Sequence, residues 1–386
     1  MFKVLIACLD NWNTIAEIPF VLKKAGCTVH AYCSPNSWLL ANSYVDKWIE
    51  SNPGKKIYTN ELHALATKGE YDWVILADDP LLKYMNDVIS DDEFFLKIMP
   101  VAKIKYRDVV GSKKALADFC IDNNIDTPGY VTYNNTADLE KIQKLTFPVI
   151  NKIDFSWGGV DMFVSHSYND FIANLSKIPV NNNILIQEFI TGKEVPVEAL
   201  FYKGELLVYT TSKILTYDKG PFTYSTRRLY YNDEMIKTLL IDLGKKLGLS
   251  GFVNITYVHD AGTGIYYLLE ADPRPNSWMA YGRFTGRDFS NGVKRIVDGS
   301  YITGYHDMPL KQPFIEVALF HKDVRRSLWR NDFKRLLPWL FNYKGYWRYL
   351  PFYDKKLSKK IFREFGQILR YKWRKLIRSK EPGPLP

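Results

Sequence analysis

Cysteine is scarce in this 386-residue chain: Cys8, Cys27, Cys33 and Cys120 are the only four, and none stands in a CxxC pair. Their crowding into the first third argues against a disulfide framework and for buried thiols in a reducing compartment. Histidine is sparse too; its six copies are scattered singly, which argues against a histidine metal centre. No apolar run reaches the roughly 18 residues that a membrane-spanning helix needs. The opening MFKVLIACLD breaks its apolar run at Asp10. That is too short for a secretory core and reads as a first buried strand. The next turn, CLDNWNT, has no glycine, so the GxGxxG fingerprint is missing and a nicotinamide role loses support. No Cys or Ser nucleophile with a nearby His presents itself.

What is present is unevenly distributed. The formal net charge is +10, yet residues 321–386 hold 19 Lys+Arg against 5 Asp+Glu. The other 320 residues hold 33 basic and 37 acidic, so a mildly acidic body carries a strongly basic tail. At this length two or three subdomains are expected.

Residues 1 to about 105 alternate strand and helix signals: FKVLIACL, a helical pattern to Lys24, CTVHAYC, DWVILADD, then a helix through Phe95. This order predicts an α/β domain with an open, mainly parallel sheet. GSKKALADFCIDNN predicts a short helix stopped near Pro128 and Gly129. From about 147 to 300 the strands become long and meandering: FPVINKI, NILIQEFI, EVPVEALFY, ELLVYTTSKIL, then GFVNITYV and GIYYLLEAD after a helix near 233–247. YKGE and DAGTG read as hairpin turns. That section is an α+β arrangement.

The stretch LLEADPRPNSW, residues 268–278, sets Glu270, Asp272 and Arg274 at alternate positions of an otherwise apolar run. A strand's period of two points them to one face. Pro273 cannot donate to a ladder, so pairing should fail there and leave the charged end open. Such a cluster needs water or a ligand.

Four pieces recur in order: Lys113 in GSKK; Lys152 after a strand in FPVINK, ahead of SWGGV; ILIQEFITGKE; and NITYV with LLEADPRPNS. Their order and spacing over residues 1 to about 300 resemble the ATP-grasp superfamily, and its carbamoyl-phosphate-synthase-like carboxylate–amine ligases in particular. The resemblance implies ATP and Mg²⁺ (or Mn²⁺) as cofactors and small-molecule carboxylate and amine substrates. By it, Lys113 and Lys152 neutralise phosphates, and Gly158 and Gly159 let backbone amides approach them. Gln187, Glu188, Phe189 and Ile190 form the hinge that reads adenine, and Glu194 meets the ribose hydroxyls. Glu270, Asp272 and Thr256 hold the metal, which suits Mg²⁺ completed by substrate phosphates. Arg274 and Lys152 serve as the catalytic pair, Arg274 facing the γ-phosphoryl group. Asn276 and Ser277 lie beside the acyl substrate, and Arg227 and Arg228 could clamp a substrate carboxylate. Two positions depart from the family pattern: Asp272 replaces an Asn, and Thr256 stands where the other metal ligand normally sits. The implied division is a leading α/β domain over 1–105, ATP-grasp subdomains over 106–305 with ATP between them, and a basic, aromatic-rich helical extension over 306–386.

In the tail, Ile361, Phe362, Phe365, Ile368, Leu369, Trp373, Leu376 and Ile377 fall at helical spacing among lysines and arginines. A cationic amphipathic helix with aromatics fits an anionic membrane surface. The same stripe also fits a helix packed on the protein's own body. Nucleic acid is the weaker partner, since no RNA or DNA fold signature accompanies the basic aromatics. Two functions of different classes follow. One is a cytoplasmic ATP-dependent ligase held at the inner membrane face. The other is a catalytically weakened nucleotide-binding adaptor at that surface. A homo-oligomer is compatible with either.

Overall fold

The computed structural model describes residues 1–156, 159, 162–177 and 183–378, without the side chains of 372, 373 and 375–378. Strands β1 (Lys3–Ala7), β2 (Thr28–Cys33), β3 (Lys47–Glu50) and β4 (Trp73–Leu76) form a parallel sheet in the order β3-β2-β1-β4. The run Val4–Ala7 is buried throughout, as a parallel strand covered on both faces should be. Helices α1 (Ile18–Lys24), α2 (Lys55–Thr67), α3 (Asp79–Val88) and α4 (Asp92–Ile98) complete this domain. The single helix expected through Phe95 is two helices, because Asp78 and Asp91 each cap a start by accepting the amides of Leu81 and Phe94.

Helix α5 (Lys113–Asp122) leads into a small antiparallel sheet with the order β5-β8-β6-β7. Its strands are β5 (Tyr130–Tyr133), β6 (Val149–Ile153), β7 (Val164–Ser165) and β8 (Ile184–Glu188). One face packs through Val149, Ile184 and Ile186 on Ile142 of α6 (Leu139–Gln143) and Phe171 of α7 (Tyr168–Asn174). Strand alternation sends Lys152 and Gln187 to the other face.

The centre is a six-stranded antiparallel sheet, β13-β12-β9-β10-β11-β14. Its strands are β9 (Lys193–Tyr202), β10 (Glu205–Tyr217), β11 (Ser225–Tyr231), β12 (Gly251–His259), β13 (Tyr266–Asp272) and β14 (Phe314–Ala318). The YKGE turn closes β9–β10 with Lys203 and Gly204 both at positive φ, 50° and 87°, matching a type I′ hairpin. On one face Val195, Val197, Ala199 and Phe201 meet Leu240 and Leu243 of α8 (Glu234–Leu247). The other face is apolar near Leu200 and Val208, which pack on Phe289 and Val293 of α10 (Phe289–Val297) beyond the short α9 (Gly282–Thr285). Towards β13 it turns polar, and the site lies there.

The C-terminal region is woven into this body. β14 pairs with β11, placing Arg227 opposite Ala318, so SerThrArgArg at 225–228 is an inner strand. Helices α11 (Phe320–Trp329), α12 (Phe333–Leu340) and α13 (Lys355–Arg378) follow. Asp354 accepts from the Ser43 amide at 2.5 Å and its hydroxyl at 2.9 Å, fastening the start of α13 to the N-terminal domain. Leu357 and Ile361 are buried, whereas Phe362, Leu369 and Tyr371 are exposed. The first turns of α13 thus pack on the body, and its later described turns turn apolar and basic groups outward. Among the described residues no helix is long and apolar enough to cross a membrane.

Candidate functional site

A cleft opens between the N-terminal domain, the start of α5 and the end of β13, lined by Asp79, Ser112, Lys113, Phe155, Glu270 and Asp272. Each wall has a local cause. Asp79 opens α3, followed by Pro80 where a missing amide costs nothing. Ser112 caps α5, and Asp154 ties that helix start to the loop after β6. It accepts from the Ser112 hydroxyl at 3.0 Å and the Lys114 amide at 2.9 Å. Lys113 donates to the carbonyls of Ser156 (2.7 Å) and Asp154 (3.1 Å), which holds its ammonium at the rim.

On the central sheet a bulge between Thr256/Glu270 and Tyr257/Leu268 sets the phase of β13. Thr256 stands opposite Glu270 and Asn254 opposite Asp272, so all four share the polar face. Glu270 makes no hydrogen bond or ion pair among the described residues. Asp272 accepts from Arg274 at 3.5 Å and from Asn254 at 3.4 Å. Arg274 also donates to Asp79 and lies 5.3 Å from the ring centre of Trp12. Burial and the neighbouring Asp79 carboxylate push the Asp272 carboxyl up to about 7, against the pull of Arg274.

Lys152 is buried and donates to Gln187 at 2.8 Å. Burial lowers its pKa, and the field of Glu270 opposes that shift. Glu194 accepts from the Tyr217 hydroxyl, and burial raises its carboxyl with Glu270 adding to the rise. Gly159 sits at φ +70°, and a Cβ there would come 2.3 Å from the Phe222 carbonyl, so glycine is required. Gly158 lies outside the described residues.

The hinge differs from expectation. Alternation along β8 puts Gln187 on the Lys152 face and Glu188 on the opposite one. The Glu188 carboxylate accepts the Thr146 amide at 2.8 Å and abuts Gly129, so it does not read a ligand edge in the cleft. The Phe189 amide is bonded to the Pro148 carbonyl at 2.8 Å, and Ile190 follows beyond the strand end.

The two arginines also part company. Arg227 donates to both Asp323 oxygens at 2.9 and 2.7 Å, and Thr226 and Trp339 complete that carboxylate's shell at 3.0 and 2.7 Å. Its guanidinium is committed to α11 and is not presented to a substrate. Arg228 instead donates to Glu198 at 2.6 Å and stacks over Trp278 at 4.5 Å. Glu198, fully buried, also accepts from Thr210 (3.1 Å) and Asn276 (3.3 Å). Ser277 accepts from Lys322 of α11 at 3.4 Å.

Sequence reasoning missed Asp79, Glu198 and Lys322. ADDP after a strand carried a signal for Asp79, an acid at a strand end ahead of a helix. Glu198 at an apolar strand position carried one as well, since a lone buried carboxylate demands partners. Lys322 carried none, being one of many lysines in a basic tail.

Among the described residues no group of three or more His, Cys, Asp or Glu gathers as a metal cage. Two carboxylates and the Thr256 hydroxyl on one open strand end suit a hard cation that keeps most of its ligands from elsewhere. Glu270, Asp272 and Thr256 therefore fit Mg²⁺ in that limited sense.

Residues 110–277 match the family model of the ATP-grasp domain. Over 220 residues the chain is 25% identical to the carbamoyl phosphate synthase large chain of Clostridium perfringens, covering 53% of this chain and 20% of that one. It is 26% identical over 155 residues to the arginine-specific large chain of Geobacillus stearothermophilus, covering 38% and 14%. The chain thus spans about a fifth of the length of the first of these relatives. Among solved structures, N5-carboxyaminoimidazole synthetase from Staphylococcus aureus complexed with ADP superposes with TM-score 0.62 at 12% identity, over 87% of this chain and 86% of that one. L-amino acid ligase from Bacillus licheniformis does so with TM-score 0.55 at 15% identity, over 76% and 74%.

Proposed function

We propose that this chain, which carries an ATP-grasp domain over residues 110–277, is an ATP-dependent ligase joining a small carboxylate to an amine. The carrying observation is convergence. Lys113, Glu270 and Asp272 line one cleft, and the field of Glu270 reaches the buried Lys152 and Glu194 behind it. A polynucleotide or a protein does not need such a cleft; a metal-bound triphosphate does.

The chemistry balances in two steps. A carboxylate oxygen attacks the γ-phosphorus, the β,γ-bridging O–P bond breaks, and ADP leaves. The amine nitrogen then attacks the acyl carbon of the resulting acylphosphate. The C–O bond to phosphate breaks, phosphate leaves with the electron pair, and the nitrogen loses a proton to give the amide. Such transfer depends on positioning and charge neutralisation more than on covalent help. Lys113 and Lys152 hold phosphates, Arg274 meets the transferring group, and Gln187, the backbone near Ile190 and Glu194 bind the nucleoside. Glu270, Asp272 and Thr256 would hold Mg²⁺, which neutralises the phosphate chain when bound. Asn276 orders the acyl side through Glu198 and Asn254.

ADP and phosphate release from Mg–ATP, measured with pooled carboxylates and pooled amino acids, tests the reading. Release should require both pools and fall by on the order of 10²–10³-fold in Glu270→Gln. Tight ATP binding with no release from any pool would favour the adaptor instead.

The tail adds a proposed location. Phe333, Leu340, Phe341, Tyr343 and Phe352 are all exposed beside basic residues, which supports contact with an anionic membrane face. Co-sedimentation with phosphatidylserine vesicles, lost above about 0.5 M salt, is the expected result; no sedimentation with any vesicle would remove this location.

A further inference from the structure

The parallel sheet ends on a strand that lacks a second neighbour. In the order β3-β2-β1-β4, strand β4 pairs with β1 alone, so its outer edge carries backbone N–H and C=O groups without a ladder partner. This edge does not lie out in solvent: Trp73, Val74, Ile75 and Leu76 are each no more than 8% exposed. Buried main-chain polar groups call for partners. Where a fifth strand would lie, a cavity of about 310 Å³ runs along the edge. It shares no lining residue with the cleft that holds Glu270 and Asp272.

The surroundings give this slot a length and two walls. Trp73 stacks on Phe252 with ring centres 5.6 Å apart, which sets the start of β12 and the β9–β10 turn beside the start of β4. Arg274 donates to Asp79, just past β4, which sets Pro273 and Pro275 at the other end. Between these ends four strand residues span about 13 Å. Ile98, Met99 and Val101, which share a core with Val74 and Leu76, form one wall. Phe252, which shares the other core with Trp73 and Ile75, forms the opposite one. Side chains of an added strand alternate between two such walls. The exposed Lys97 and Lys203, against Asp72, leave the lining net positive.

We propose that the slot binds a tripeptide in extended conformation. Its backbone pairs with β4 as a fifth strand, its apolar side chains meet the two walls, and its free carboxylate lies by the lysines. A volume of about 310 Å³ is that of roughly ten liquid waters and falls in the range of small-ligand pockets. A slot bounded at both ends takes a short free peptide rather than a strand passing through from another protein. Pro273 and Pro275 flank Arg274, so the occupant bears on the strand end that faces the phosphoryl group. That consequence, unlike the site itself, rests on the ligase reading.

The test adds an equimolar pool of tripeptides built from alanine, valine and leucine to the full chain. Amide hydrogen exchange over residues 72–77 should slow by on the order of 10-fold at saturation. Methylating both peptide nitrogens should weaken binding by roughly 10-fold or more, since it removes the ladder donors. Ala102→Trp fills the slot at its exposed rim and should abolish the protection while the unfolding midpoint stays in place. No slowing over 72–77, equal binding of the N-methylated pool, or protection that survives Ala102→Trp overturns the site. With Mg–ATP and both substrate pools, the tripeptides should change ADP release by roughly 5-fold. Protected β4 amides with unchanged release overturn the coupling to Arg274 and leave the site standing. Protected amides in a chain that releases no ADP under any condition overturn the ligase reading alone.

Discussion

Asp323 and Lys322 are neighbours on α11, both buried, and they sit in opposite kinds of surroundings. Asp323 is enclosed by Arg227, Thr226 and Trp339, a closed set in which every oxygen has donors. Lys322 meets no carboxylate within ion-pair distance among the described residues, and in the cleft by β13 Glu270 likewise has no partner among them while Asp272 shares one arginine with Asp79. Burial is common to both clusters. Completeness of pairing among the described residues separates them.

Substitution should separate them as well. Asp323→Asn leaves Arg227 buried without its anion and should lower stability by about 3–5 kcal/mol, read by denaturant unfolding, with turnover per folded molecule retained. Loss of turnover without loss of stability would break the comparison. Glu270→Gln should do the reverse, abolishing most ADP release while the unfolding midpoint holds steady or rises, since it removes an unpaired charge. A pH profile sharpens the contrast. Burial, with Arg228 and Arg274 adding and Asp218 opposing, brings the Lys322 ammonium down to about 8. The unfolded lysine titrates near 10.4, so between about 8 and 10.4 the unfolded chain binds the extra proton and stability rises with pH. The smallest effect belongs to the tail surface. Lys356→Gln and Lys359→Gln, both exposed on α13, should shift stability by less than about 0.5 kcal/mol; larger shifts would mean that this face is also part of the scaffold.

Much of the architecture was legible because it follows local periodicity. VLIA, the strand–helix alternation and the Asp233-capped helix at 234–247 need only neighbouring residues to declare themselves. Glu270, Asp272 and Arg274 were legible for the same reason, alternation at a strand end, although the bulge that phases them was not. Glu188 shows the limit. Its motif suggested a hinge contact, but one step along a strand reverses the face, and the register that chose Gln187 over Glu188 is set by β6. The basic tail shows it again, since the same amphipathic stripe that suits a membrane buries Leu357 and Ile361 against the body.

By itself the sequence determined the longer strands and helices, and the alternation that puts Glu270, Asp272 and Arg274 on one strand face, because those properties depend on side-chain type and spacing within a few residues; the short strands such as β3 and β14 were not legible in it. Tertiary structure alone decided which charges are paired. Asp323 meets Arg227 across 96 positions and Lys322 meets Ser277 across 45. Whether a buried charge costs stability or serves a ligand depends on those distant partners, and only the folded chain brings them within reach.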